Sequence, residues 1–347
     1  MLINTRRFTA LAALALTASV ALAGCGSDDG DGGDGASGGG GGGGGSSDIT
    51  MIPKSLGNPY FDASTAGAKR AAGEFDGKVD EVGPTGDAGP DSQVPFIETA
   101  TQQGVGALVV SANDPTALCD SIETAQSADI KVVTFDSDTE CRDLFVSQAD
   151  AQGIADKQVE LIADQIGDEG EVAILSAAAN ATNQNEWIDL MKENLEANHP
   201  NITLVDTVYG DDDDQKSFDQ TAALLQAHPD LKGIISPTTV GIAAAARYLS
   251  TSEFKGKVAL TGLGAPSQMK TFIDDGTVTE FALWNPDDLG YLAAYAADAL
   301  VKGDITGKEG DKFTAGDLKE YTVGADGVVV LGDPFVFDKS NINDFKF

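Results

Sequence analysis

Five polar side chains, Lys54, Asp136, Asn183, Gln184 and Thr239, and three aromatic ones, Tyr60, Phe61 and Trp284, each stand just past a β-rich apolar run. Amides and carboxylates supply directional partners for hydroxyl groups, and charge-assisted hydrogen bonds are about twice as strong as neutral ones. Aromatic faces cover the C–H surfaces of a sugar ring. Such a set suits a small polyhydroxylated ligand, with Tyr60, Phe61 and Trp284 as walls. Either ring of the Tyr60–Phe61 pair could equally pack into the sheet behind it. Asn58 and Asn113 add amides from the loops "PKSLGNPYF" and "SANDP", and Asp62 is a candidate cap for the helix that follows.

Bond-breaking chemistry finds little support. His199 and His228 are the only histidines, and each precedes a proline at what reads as a helix exit. Neither a nucleophile elbow nor a zinc-binding HExxH occurs. In "GLGAPS", Ser267 stands where a dinucleotide fingerprint needs its third glycine, so no nucleotide cofactor is expected. Catalysis, a metal and a cofactor are all expected to be absent. The acid run 211–214 reads as a loop favouring the N-terminus of the next helix.

The elements that must position these residues alternate. The apolar runs "ITMI", "VDEVG", "ALVVS", "KVVTF", "LFVSQ", "EVAILS", "TLVDTVYG", "GIISP", "KVALTG" and "VTEFALW" have strand length and composition. Helical stretches lie between them. One runs from Asp91 to Gln103, with an acid at its start, Pro95 in its first turn and Gly104 as its stop. This pattern predicts an α/β protein with parallel sheets covered on both faces. Ten strands are many for one such sheet, so two are expected, one before about residue 135 and one after it. Ligands of such folds bind where strands end and loops lead into helices, and every candidate residue lies there.

The chain has 347 residues and a formal net charge of −33, which becomes −35 without Arg6 and Arg7. A surface this negative repels phosphate backbones and anionic headgroups, so nucleic acid is an unexpected partner. Residues 1–25 have another grammar. Two arginines precede a short apolar run fit for a secretory signal, too short for a membrane span. The run ends in Leu22, Ala23, Gly24 and Cys25, which resembles the lipobox of bacterial lipoproteins and implies acylation of Cys25. The export route, general or twin-arginine, stays open. Residues 26–47 are Gly, Ser and Asp apart from Ala36, a flexible tether of roughly 25 Å reach. Two further cysteines, Cys119 and Cys141, lie 22 residues apart with no nearby histidine to complete a zinc site. In an exported chain they point to a disulfide, one that stabilises by about 3 kcal/mol.

Over residues 48 to 347 the chain resembles the periplasmic binding proteins of sugar ABC transporters, in the ribose-binding-like class. "NPYFDASTAGAKRAA" looks like the first strand-to-helix loop of that class. "IPK", "TFDSDTECR", "NQNEW", "YGDDDDQKSF", "AHPDLKGIISPTTVGIAAAARYL" and "GTVTEFALWNPDDLGY" look like its rhamnose-binding branch, sister to the receptors for autoinducer-2. The resemblance implies two doubly wound parallel-sheet lobes joined by a three-segment hinge, the type I periplasmic binding protein fold. It implies lobes of 48–134 plus 287–324 and 135–286 plus 325–347. The crossings would lie near 134–137, 284–287 and 323–326, with Asp136 and Asn285 at the hinge. The ligand contacts of autoinducer receptors fall here on Lys54, Asp136, Asn183, Gln184, Pro237 and Thr239. Asn183 replaces an acid and Thr239 an alanine, which favours a differently shaped polyol. Cys119 and Cys141 match a cysteine pair in these relatives. Implied with the resemblance are a lipid-anchored monomer outside the cell membrane, a sugar ligand and an ABC permease as partner. L-Rhamnose is the sugar expected first; an autoinducer-2 or sensory receptor is the alternative.

Overall fold

A computed structural model describes residues 47–86 and 89–347. The signal segment, Cys25 and the tether, apart from Ser47, lie outside the described residues. Among those described, the chain runs β1 (Asp48–Ile52), α1 (Pro59–Glu74), β2 (Lys78–Glu81), α2 (Val94–Gln103), β3 (Ala107–Val110), α3 (Cys119–Ser127), β4 (Lys131–Phe135) and β5 (Leu144–Ser147). It continues through α4 (Ala151–Ile166), β6 (Gly170–Ser176), α5 (Thr182–Asn198), β7 (Ile202–Tyr209), α6 (Asp214–Ala227), β8 (Leu231–Ser236), α7 (Thr239–Thr251), β9 (Ala259–Gly262), α8 (Pro266–Asp274) and β10 (Glu280–Leu283). Then follow α9 (Pro286–Lys302), β11 (Lys312–Thr314), β12 (Glu320–Thr322), β13 (Val328–Val330) and β14 (Phe335–Asp338).

All ten apolar runs are strands. β3 is buried along its whole length and β1 in four of its five residues, as strands covered by helices on both faces must be. One sheet has the order β13-β5-β4-β3-β1-β2, with every pair parallel. The other has the parallel order β7-β6-β8-β9. A bridge between Leu263 and Ala282 links it to the antiparallel pair β10-β14. These are two α/β lobes of the type I periplasmic binding protein fold.

Strand pairing moves two of the expected borders. β5 pairs with β4, so the first sheet continues past residue 135 and the chain crosses between Ser147 and Ala151. β13 pairs with β5, so residues 328–330 belong to the first sheet and the last crossing is 331–334, not 323–326. Val328–Leu331 form a short apolar run between Gly327 and Gly332, and nothing in the run itself tells that it returns to pair with β5. The middle crossing does lie at 284–285, between β10 and α9.

α1 and α9 pack backbone to backbone across the first lobe. A Cβ on Gly67 would stand 1.8 Å from the Asp287 carbonyl oxygen, and one on Gly290 would stand 1.8 Å from that of Ser64. Only glycine permits this approach. α2 begins at Val94, three residues later than Asp91. Its start is fixed by buried Gln93, whose amide donates to the carbonyls of Ile52, Pro53 and Ser111 and accepts from Asn113 N–H. Cys119 and Cys141 are joined by a disulfide with Cα atoms 5.4 Å apart, an ordinary separation.

Candidate functional site

Helix starts build one side of the site. Asn58 caps α1, its Oδ1 accepting from Tyr60 N–H at 3.0 Å, and Pro59 opens the helix. Asp62, the expected cap, instead lies exposed in the first turn. The cap fixes the aromatic pair in the opening turn of α1, where both rings are buried. Tyr60 meets Phe61 edge-on at 5.1 Å between centroids and Trp284 at 6.2 Å, while Phe61 meets Phe135 at 6.2 Å. Both readings of the pair hold at once, because each ring packs on its neighbours and also lines a cavity.

Asp136 sits in the turn after β4 with φ of +62°, and Ser137 N–H returns to the Phe135 carbonyl at 2.6 Å. That three-residue closure is a γ-turn with its central residue in the left-handed region, a conformation held only when its surroundings enforce it. They do so through the carboxylate. Oδ1 accepts from the Tyr60 hydroxyl at 3.0 Å and Oδ2 from the Ser111 hydroxyl at 2.8 Å, with Lys54 Nζ at 3.8 Å. Trp284 Nε1 donates to the Tyr60 oxygen at 2.8 Å, completing a buried chain from indole to phenol to carboxylate. Burial first, and then the Asp136 charge, push the Tyr60 hydroxyl well above its ordinary pKa, so it stays a donor.

The opposite side comes from the second lobe. α5 presents Asn183, Gln184 and Trp187 on one face, at the three- and four-residue spacing that aligns side chains along a helix. Lys54 Nζ donates to Asn183 Oδ1 at 3.2 Å and Asn183 Nδ2 to the Asp136 carbonyl at 3.2 Å, so this amide ties the lobes together. Gln184 Oε1 accepts from Ser176 Oγ at 2.7 Å and Ala177 N–H at 2.8 Å. With Oε1 so engaged, Nε2 is left as a donor. Pro237 and Thr239 line the same space at the start of α7.

The cavity is small, with a volume of about 40 Å³. Lys54, Asn58, Tyr60, Phe61, Asp136, Asn183, Gln184, Pro237, Thr239 and Trp284 all border it. Asn113 does not. Its side chain donates to the Lys54 carbonyl and Ser92 Oγ, and its carbonyl accepts from Asn180 Nδ2 at 3.2 Å beside an adjoining cleft. Nor does Asn285, whose Oδ1 accepts from Asp287 N–H at 3.1 Å and caps α9. Trp187, Asp212, Thr238, Leu263 and Leu283 line the cavity beyond those expected from the sequence.

Asp212 corrects the reading of the acid run. Asp213 caps α6 and Asp214 lies in its first turn, as a helix-favouring loop requires. Asp212 instead has φ of +51° and turns to the cavity, where it accepts from the Thr238 hydroxyl. Burial raises its pKa above the usual carboxylate value, opposed by that hydroxyl and by Lys54 and reinforced by Asp136. Nothing in the spacing of four consecutive acids singles out the second. Trp187 was legible through its helical spacing from Asn183 and Gln184. Both histidines cap the ends of α5 and α6, far from this chemistry. Among the described residues no cluster of three or more His, Cys, Asp or Glu is placed to hold a metal ion.

Residues 49–305 match the sequence profile of the periplasmic binding protein domain. The chain is 53% identical to a sugar ABC transporter protein of Actinomyces odontolyticus, covering 86% of this chain and 97% of that one, with a TM-score of 0.72. It is 40% identical to an ABC transporter solute-binding protein of Clostridium phytofermentas with bound L-rhamnose, over 86% and 98% of the chains, with a TM-score of 0.83. With LsrB of Clostridium saccharobutylicum in complex with AI-2 it shares 26% identity over 86% and 100%, with a TM-score of 0.81. The chain belongs to the periplasmic binding protein family, as an extracytoplasmic sugar-binding component of the ABC-importer class.

Proposed function

We propose that the chain captures one neutral monosaccharide, L-rhamnose or a related deoxyhexose, between its lobes and delivers it to a membrane permease. The observation that carries this reading is the shared cavity of Lys54, Asp136 and Gln184 under the Tyr60 and Trp284 rings. Carboxylate and amide groups accept from and donate to ring hydroxyls, while the aromatic edges cover C–H surface. In this reading the bound sugar favours closure, because a ligand shifts an opening equilibrium by its differential contacts with the two states. The greater identity to the rhamnose-bound relative than to the AI-2-bound one supports the choice of sugar. So do Asn183 and Thr239, which offer a neutral amide and an extra hydroxyl to a polyol. Acylated Cys25 would hold a monomer to the outer face of the membrane through the tether.

A thermal-shift panel of L-rhamnose, other hexoses, pentoses and autoinducer-2 tests the ligand. Bound ligand raises the melting temperature by mass action, and L-rhamnose is expected to give the largest rise. A larger rise with autoinducer-2 would favour the second reading, a signal receptor, which the LsrB likeness supports. Mass spectrometry of membrane-extracted protein tests the anchor, which Cys25→Ala is expected to abolish.

A further inference from the structure

We infer that the Cys119–Cys141 disulfide, with Thr139 beside it, is a positioning element for the site: it sets Ser111 against Asp136 and so aims that carboxylate at the ligand. The inference rests on the sugar-binding reading above, since it concerns how one of the proposed ligand contacts is held. β3 and β4 run parallel, Val110 beside Thr134, so their loops leave the sheet side by side. Just past that register Ser111 Oγ donates to Asp136 Oδ2 at 2.8 Å. Beyond it the loops are tied rung by rung. Ala112 N–H donates to the Ser137 carbonyl at 3.0 Å, and the Pro115 carbonyl accepts from Glu140 N–H at 2.9 Å and from Thr139 Oγ at 2.7 Å. The disulfide closes the far end, with Thr139 Oγ 3.3 Å from the Cys141 sulfur and 3.8 Å from that of Cys119.

Asp136 needs such bracing. Its φ of +62° is a left-handed conformation that the surroundings must hold. The neighbouring carboxylate of Asp138 accepts from the side chains of Thr134 and Arg142 and from Thr139 N–H, all within 134–142, so these bonds shape the loop without fixing it to the one beside it. The rungs and the disulfide do that, and the disulfide is the covalent tie. Ser111, at the root of the other loop, is wholly buried. Loosening the far end lets the 136–141 loop slide along the 111–119 loop, and a hydrogen bond weakens steeply when its partners are misaligned. A disulfide that served stability alone would act through the unfolded chain and leave the folded site unchanged.

Titration calorimetry of the full chain with L-rhamnose, well below the melting transition, is the test; a sugar that gives a larger thermal shift takes its place without changing the expectation. Cys119→Ala with Cys141→Ala is expected to weaken binding about three- to tenfold, and the same pair introduced into Ser111→Ala to cost less than about twofold, because both changes remove one shared contact. Thr139→Val, which leaves the disulfide in place, should weaken binding about threefold, a loss again absorbed by Ser111→Ala. Circular dichroism checks folding; should the cysteine variant not fold, Thr139→Val decides. A folded cysteine variant with a lower melting temperature and undiminished affinity would overturn the inference and leave the sugar-binding reading intact. So would a loss that Ser111→Ala does not absorb. A wild type that binds none of the sugars in the panel would overturn the sugar-binding reading, and this inference with it.

Discussion

The two walls of the cavity are built on opposite plans. In the first lobe, α1 and α9 begin under side-chain caps, Asn58 and Asn285, and the Trp284–Tyr60–Asp136–Ser111 chain satisfies its own donors and acceptors. In the second lobe α5, α7 and α8 start with no side-chain cap. Thr238, at the cap position of α7, gives its hydroxyl to Asp212 instead. Among the described residues Gln184 Nε2 and the Thr239 hydroxyl have no protein partner. One wall is complete before any ligand arrives; the other has donors and helix N-termini to offer an incoming hydroxyl. Under the proposed function the first lobe would supply the preformed surface and the second the groups that take up an incoming hydroxyl.

Removing the centre of the complete wall should have the largest effect. Asp136→Ala is expected to weaken sugar binding by about 100-fold or more, since two charge-assisted hydrogen bonds are worth about 1.5–3 kcal/mol each. Because Tyr60 and Ser111 would lose their buried acceptor, urea denaturation of the ligand-free variant should also reveal a loss of about 1–3 kcal/mol. Undiminished affinity by calorimetry would remove Asp136 from the site. Next in size is Gly67→Ala, which forces a methyl group into the Asp287 carbonyl and should destabilise by about 1–3 kcal/mol through overpacking. Unchanged stability would mean that α1 and α9 separate easily and that the first wall is softer than described.

The incomplete wall should respond in selectivity. Asn183→Asp with Thr239→Ala is expected to shift preference toward autoinducer-2 by about tenfold, or about 1.4 kcal/mol; no shift in a competition titration would show that these positions do not select. Asp212 gives the smallest effect. Its carboxyl is raised in the folded protein, so folding is favoured most below its unfolded pKa and that contribution is lost as pH rises through the folded one. Asp212→Asn should therefore raise the ligand-free melting temperature slightly at pH 7 and leave it unchanged below about pH 4, near the unfolded carboxylate value. A variant less stable than wild type at pH 7 would contradict the burial penalty.

Much of the scaffold was legible because parallel strands buried on both faces leave unbroken apolar runs, as "ALVVS" and "EVAILS" do. β13 and β14 were not, because their place depends on pairing with β5 and β10, over a hundred and over fifty residues away, which a three- or four-residue run cannot encode. Within the site, Lys54, Asp136, Gln184 and Thr239 were found at strand ends, where topology directs loops into the cleft. Asn113 and Asn285 occupy such ends too, but their amides are consumed by local backbone. Asp212 was hidden because the left-handed backbone at Asp211 and Asp212, not the composition of the run, turns Asp212 to the cavity.

The chain contains two tryptophans, Trp187 and Trp284, and both border the cavity with ring centroids 6.0 Å apart. All of its indole emission therefore originates beside this cavity, the proposed place of ligand entry. An unlabelled sample carries its own optical reporter, with no background from the rest of the fold, so the arrival of a solute can be timed in a stopped-flow instrument without attaching a dye.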